Sequence, residues 1–150
     1  TLSFIMNDKV GHLGHNKNRR GFILRLLAPI FWAAVILWLS LTSSPPQIPG
    51  PLGWDKLLHA GAYGLLAVLI AQYLTFQLYS SIRAFWPAII ATIAYGELVE
   101  VLQWAGQAGR TAEWWDLVAD ALGALVGCVI FRQACKQYYQ SDEDRNKQHG

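Results

Sequence analysis

Four apolar stretches, parted by short polar or Pro- and Gly-rich breaks, make up most of the chain. They run from about Gly21 to Thr42, Trp54 to Tyr79, Phe85 to Trp104 and Trp114 to Cys135. Coiled as an α-helix, a stretch of this length covers roughly 30 Å, the thickness of the hydrocarbon core of a bilayer. The pattern predicts an all-α membrane protein, a compact bundle of about four transmembrane helices. Between the first two stretches, Ser43-Ser44-Pro45-Pro46-Gln47-Ile48-Pro49-Gly50-Pro51 cannot be helix. Ser80 to Arg83 reads as a polar turn, and Ala105 to Glu113 as a loop broken by Gly106 and Gly109. Pro29 is expected to bend the first helix without ending it, and Pro87 suits the first turn of the third.

The ends differ from the interior. Residues 1–20 are polar and basic, and residues 136–150 are charged, so both read as loose tails around a domain spanning 21–135. The basic lead into an apolar stretch also fits a signal peptide. That apolar run is too long, however, and no small-x-small cleavage site follows cleanly, so a retained anchor fits better. On the four-span arrangement, Lys9, Lys17, Arg19, Arg20, Arg25, Arg83, Arg132, Lys136, Arg145 and Lys147 fall on one side. Only Lys56 and Arg110 fall on the other. The positive-inside rule then places both termini in the cytoplasm of a multi-pass inner (plasma) membrane protein.

Composition agrees. Hydrophobic residues are 53% and charged residues 15%, the latter well below the usual soluble-domain share of about 25%. Seven Trp suit the membrane–water boundary, and Trp54, Trp114 and Trp115 read as an outer aromatic belt. A net charge of +2 without a basic patch argues against nucleic acid. Cys128 and Cys135 lie seven residues apart on one helix, about 10 Å along its axis, too far for a disulfide. Gly123 and Gly127 form a Gly-x-x-x-Gly pair, and Gly61 and Gly64 lie on the second helix. These allow close approach within the chain, or homo-oligomerisation through Gly123 and Gly127.

The remaining polar residues gather at one side. Asp55, His59 and Tyr63 follow at i, i+4 and i+8 at the outer end of the second helix. Glu97, Glu100 and Gln103 lie near the outer end of the third, Arg110 in the outer loop, and Asp116 and Asp120 at the outer end of the fourth. Ionisable groups facing lipid are costly, so these are expected to point inward at one another or at water. The bland alternative is a structural lock such as Glu100–Arg110–Asp120, with Lys56 and Glu113 as ordinary interfacial groups.

At these residues the chain resembles a known family. Trp54-Asp55-Lys56-Leu57-Leu58-His59 followed by Tyr63 is similar to the Asp-Lys-x-x-His-x-x-x-Tyr signature of VanZ-like membrane proteins. Glu100-x-x-Gln103, Gly109-Arg110, and Asp116 with Gly123 and Gly127 resemble that family's second block, and Ser43 to Pro46 its Ser-x-x-Pro element. The resemblance covers about residues 25–132. Asp120 stands where the family pattern usually has Asn, which adds a potential charge. The resemblance implies a small multi-span membrane protein and a link to resistance to the glycopeptide teicoplanin.

Three functions compete. The first is a site at the outer face for an anionic lipid headgroup or envelope lipid intermediate. Lys56, Tyr63, Glu100, Gln103, Arg110 and Asp120 would line it, with Arg110 as the planar fork for phosphate or carboxylate. The second is a hydrolase or transferase on a lipid phosphate. Here His59 serves as nucleophile or general acid–base, oriented by Asp55, Asp116 or Glu100. The third is a scaffold that binds a partner through its Gly-lined face. No cofactor is expected. A divalent cation held by Asp55, His59, Glu100 and Asp116 would be Mg or Mn rather than zinc, but no compact ligand motif calls for one. Gly-x-Ser-x-Gly, a phosphate-binding Gly-Lys-Ser/Thr loop and Cys-x-x-Cys are missing from the sequence. A proton-coupled transporter lacks polar residues in the cytoplasmic half of its path.

Overall fold

The computed structural model describes the backbone of residues 2–42, 54–106 and 114–149, and the side chains of 21–42, 56–106, 115–141, 144, 145 and 147. The chain forms α1 (Leu2–Leu41), α2 (Trp54–Leu78), α3 (Ser81–Gly106) and α4 (Trp114–His149). No strand occurs among the described residues. Each helix holds a segment long and apolar enough to cross a membrane: Gly21–Leu41, Lys56–Leu78, Ser81–Gly106 and Trp115–Ser141.

Several boundaries differ from those the sequence predicts. The helix of α1 continues back to Leu2 and that of α4 on to His149, through the segments read as loose tails. Neither segment contains a proline, so nothing in the backbone stops a helix already nucleated in the membrane. α3 starts at Ser81 rather than Phe85. Ser80 caps it, with its side-chain oxygen accepting from Arg83 N–H at 3.4 Å and its carbonyl accepting from Ala84 N–H at 3.2 Å. Pro87 therefore lies inside the helix rather than in its first turn. Gly106 likewise belongs to α3, while Ser43–Pro51 and Gly109 lie outside the described residues. The turn between α2 and α3 passes through Tyr79 at φ 50°, a left-handed conformation that usually falls to glycine after a helix.

Lipid tails are as apolar as leucine, so helix pairing in a bilayer draws on close packing rather than on expelling water. The packing follows that logic. Ala67, Ala71, Ala84, Ala88 and Ala124 are almost completely enclosed, whereas Leu57, Ile90, Leu122 and Ile130 point away from the protein. The most extensive seam joins α2 to α4, which run parallel. A Cβ added at Gly127 would lie 2.5 Å from the Gly64 carbonyl oxygen, and one at Gly123 would collide with the Ala60 backbone. Both glycines are thus occupied by α2 of the same chain, and Gly64 lies across the same seam. Gly61 has open space beside it and takes no part in a close approach.

α3 runs antiparallel to this pair and closes it from one side. α1 touches α2 and α3, and among the described residues it makes no contact with α4. Its attachment joins an apolar contact, in which Ile36, Trp32 and Ala33 pack with Tyr63, Leu66 and Ile70, to three hydrogen bonds. Trp32 Nε1 donates to the Ala62 carbonyl (2.9 Å), Tyr95 Oη to the Ala33 carbonyl and Gln103 Nε2 to the Ser40 carbonyl (2.8 Å).

Candidate functional site at the end of the α2–α4 seam

The small-residue seam ends in a polar ladder. Beside Ala60 in the chain, and one turn above Gly123, His59 Nδ1 lies 3.2 Å from Asp120 Oδ1. At the next rung, Lys56 Nζ donates to Asp116 Oδ1 at 3.0 Å. The spacing follows from parallel helices in register: 56 and 59 share a face of α2, as 116 and 120 share a face of α4. Because the glycines below let the backbones approach, short carboxylate side chains on α4 reach α2 directly.

Both rungs are polarised in the same sense. The Lys56 side chain is 40% exposed against 14% for Asp116, and His59 is 26% exposed against 2% for Asp120. Each nitrogen-bearing group thus faces outward and each carboxylate inward. Asp120 is enclosed further by α3. A Cβ added at Gly96 would sit 3.2 Å from Asp120 Oδ2 and 3.3 Å from a ring carbon of Tyr63. Gly96 is therefore the gap in α3 into which the carboxylate and the tyrosine fit. Tyr63 is buried, lies nearly parallel to the His59 ring with centroids 6.2 Å apart, and meets Tyr95 at 6.4 Å.

With Asp120 ionised, Nδ1 of His59 carries the proton and Nε2 is the basic atom of the ring, the arrangement by which a carboxylate fixes an imidazole tautomer. Among the described residues, the group set against His59 is thus Asp120. Asp116, expected as an orienting residue, holds Lys56 instead, and Lys56 is more than an isolated interfacial charge. Glu100 is half-buried and within electrostatic range of Tyr63. Gln103 is buried, but its amide is committed to α1. Glu97 is exposed and does not point inward as its neighbours do. Six helical residues turn about 600°, so Glu97 stands about 120° from Gln103 and cannot share its face. Arg110 and the side chain of Asp55 lie outside the described residues, as do Glu113 and the side chains of Trp54 and Trp114.

Among the described residues, the carboxylates and the imidazole do not assemble into a cation cage. Among the described residues no three His, Cys, Asp or Glu side chains form a metal-binding group, and His59 and Asp116 are turned to Asp120 and Lys56. Sequence reasoning missed Gly96 and Tyr95, which complete the wall around Tyr63 and Asp120. A small residue one turn before Glu100, on the helix that must cover the cluster, was the available signal. It also missed Trp32 and Ser40, because a bond to a backbone carbonyl leaves no trace in side-chain patterning.

A family model described as VanZ/LLP1 matches residues 15–136. No curated protein and no solved structure matches the chain. The family match spans most of the sequence, including all four apolar segments and the whole ladder, and this four-helix membrane protein belongs to the VanZ/LLP1 family.

Proposed function

We propose that the ladder end of the bundle is an anion-binding site for a lipid headgroup, on the outer face of the plasma membrane with both termini in the cytoplasm. The observation that carries this reading is the shared polarity of the two rungs. Lys56 turns its ammonium and His59 the outer edge of its imidazole toward headgroup level, while Asp116 and Asp120 sit behind them. A phosphate or carboxylate arriving from the bilayer surface would meet an ammonium and an imidazole already oriented by their carboxylates. Arg110 would supply a further cation from the adjoining loop. Buried ion pairs are a poor route to stability, which favours a ligand-directed role over a purely structural one.

The test is retention of phosphatidylglycerol and of an isoprenoid phosphate by the purified protein, measured by native mass spectrometry against phosphatidylcholine. Both anionic lipids should be retained. Lys56→Ala with His59→Ala should weaken retention roughly tenfold or more, the worth of one or two charge-assisted bonds. A folded double variant that retains them unchanged refutes the reading. The same site gives a cell-envelope role its measurable form. Expression should alter teicoplanin susceptibility, and the double variant should not.

A second reading, hydrolysis or transfer at a lipid phosphate, is favoured by the His59–Asp120 pair alone. It requires phosphate release that disappears in His59→Ala and in Asp120→Asn. Release that persists in both variants would remove it.

A further inference from the structure

Glu97 is the one acidic side chain that α3 turns outward within its membrane-spanning length, and it has no partner among the described residues. Its depth can be read from two exposed tryptophans on the same helix, Trp86 (63%) and Trp104 (70%). They are eighteen residues apart, about 27 Å, the spacing of the two interfacial belts. Glu97 lies seven residues, about 10 Å, inside the Trp104 belt. A carboxyl group at that depth facing lipid has lost water and gained nothing in return, and such residues mark contacts or pathways.

The surface around it differs from the other outer faces. Ala94, Glu97, Leu98 and Val101, at i, i+3, i+4 and i+7, form one exposed stripe, with Ala91 and Ala105 at its ends. The outward faces of α1 and α4 carry Ile23, Leu27, Phe31, Leu122, Leu125 and Val126, bulky side chains that keep a neighbour distant. Ala91 and Ala94, in the two turns before Glu97, let a second helix come close beside it, which is how helices associate in lipid.

We propose that this face of α3 pairs with the same face of a second copy, the Glu97 carboxyl groups hydrogen-bonded to each other across the two-fold axis. Two copies inserted alike present α3 in parallel, so a symmetric contact sets Ala94 near Ala94 and Glu97 near Glu97. Arg25, Arg83 and Arg132 lie toward the opposite end of the bundle, and Lys56 and His59 are turned to Asp116 and Asp120 within it, so a second copy brings no cation to Glu97. A carboxylic acid needs none. It carries both a donor and an acceptor, and two of them satisfy each other. The Gly123 and Gly127 pair is already filled by α2 and so is closed to a second copy, whereas the α3 stripe is exposed.

The test is oxidative cross-linking of the full chain in liposomes of phosphatidylglycerol and phosphatidylethanolamine. Ala94→Cys and Leu98→Cys, both at exposed positions, should give a dimer band well above that of the parent, whose own Cys128 and Cys135 set the background. Val126→Cys, on the outer face of α4, should stay at that background. With Ala94→Cys as reporter, Glu97→Gln keeps a self-complementary side chain and should keep the dimer. Glu97→Leu should lower its yield about threefold to tenfold, the worth of one hydrogen bond between helices. Background yield from both α3 positions, equal yield from the α4 position, or a Glu97→Leu dimer undiminished would each overturn the proposal.

Discussion

Replacing Gly123 or Gly127 with alanine tests whether the α2–α4 seam sets the geometry of the site. At Gly127 the new methyl carbon would lie 2.5 Å from the Gly64 carbonyl oxygen, against about 3.4 Å for an ordinary contact, so the backbones must part by 3.4 less 2.5, or 0.9 Å. At Gly123 the Ala60 carbonyl carbon and Cα, both at 2.7 Å, demand at least 3.4 less 2.7, or 0.7 Å. These neighbours are backbone and cannot swing aside. A gap of that size forfeits a quarter to a half of each dispersion contact along the seam, on top of about 1–3 kcal/mol for overpacking. About 3 kcal/mol in all lowers the melting temperature by about 6–12 °C for a chain of this size. The same separation stretches the 3.0 and 3.2 Å rungs above the seam beyond hydrogen-bond length. Thermal unfolding of the detergent-solubilised protein, followed by loss of the monodisperse gel-filtration peak, measures the shift. Gly61→Ala, with open space around it, should melt within about 2 °C of the parent or above it, since alanine is the better helix former. Gly123→Ala and Gly127→Ala variants that melt as Gly61→Ala does would show that the seam is looser than its geometry implies.

Three further outcomes follow from other parts of the bundle. Asp120→Asn preserves an acceptor toward His59 and should cost under about 1 kcal/mol in thermal unfolding, whereas Asp120→Ala, which removes the carboxylate from the part-buried His59, should cost about 1–3 kcal/mol. Tyr95→Phe combined with Gln103→Leu removes two of the bonds that hold α1, each worth about 0.6 kcal/mol in a bilayer. Hydrogen exchange of the α1 amides should then rise about sevenfold if the two losses add. Tyr79→Gly relieves a left-handed tyrosine whose side chain is almost wholly exposed, and should raise the melting temperature by a few degrees; an unchanged or lower value would mean that the ring is anchored elsewhere.

The helices and their membrane character were legible in the sequence because a run of apolar residues must satisfy its own backbone in lipid, and only a helix does so. The side of the bundle on which the polar groups meet was legible for the same reason, since Asp116, Asp120, His59 and Glu100 all sit near helix ends that four spans bring together. Which groups pair was not. Asp116 and Asp120 are a single turn apart, and only the register set by Gly64, Gly123 and Gly127 assigns one to Lys56 and the other to His59. Glu97 was misplaced because residues at i and i+6 look adjacent in a list of polar positions yet stand far apart around a helix. The ends of α1 and α4 escaped prediction because polarity marks where a helix leaves the membrane, not where it stops.

The three bonds that attach α1 share a property beyond their strength. Tyr95 and Gln103 grip α1 by the peptide oxygens of Ala33 and Ser40, and Trp32 reaches a peptide oxygen of α2. A carbonyl oxygen is the same whatever side chain its residue bears. The sockets on α3 therefore recognise a helix at the right height and angle, and are indifferent to its lettering at those two positions. Substitutions at Ala33 and Ser40 that keep the helix and its close approach leave the attachment standing, so those two positions are free to drift in sequence, whereas Trp32 and Ile36, held by their side chains, are not.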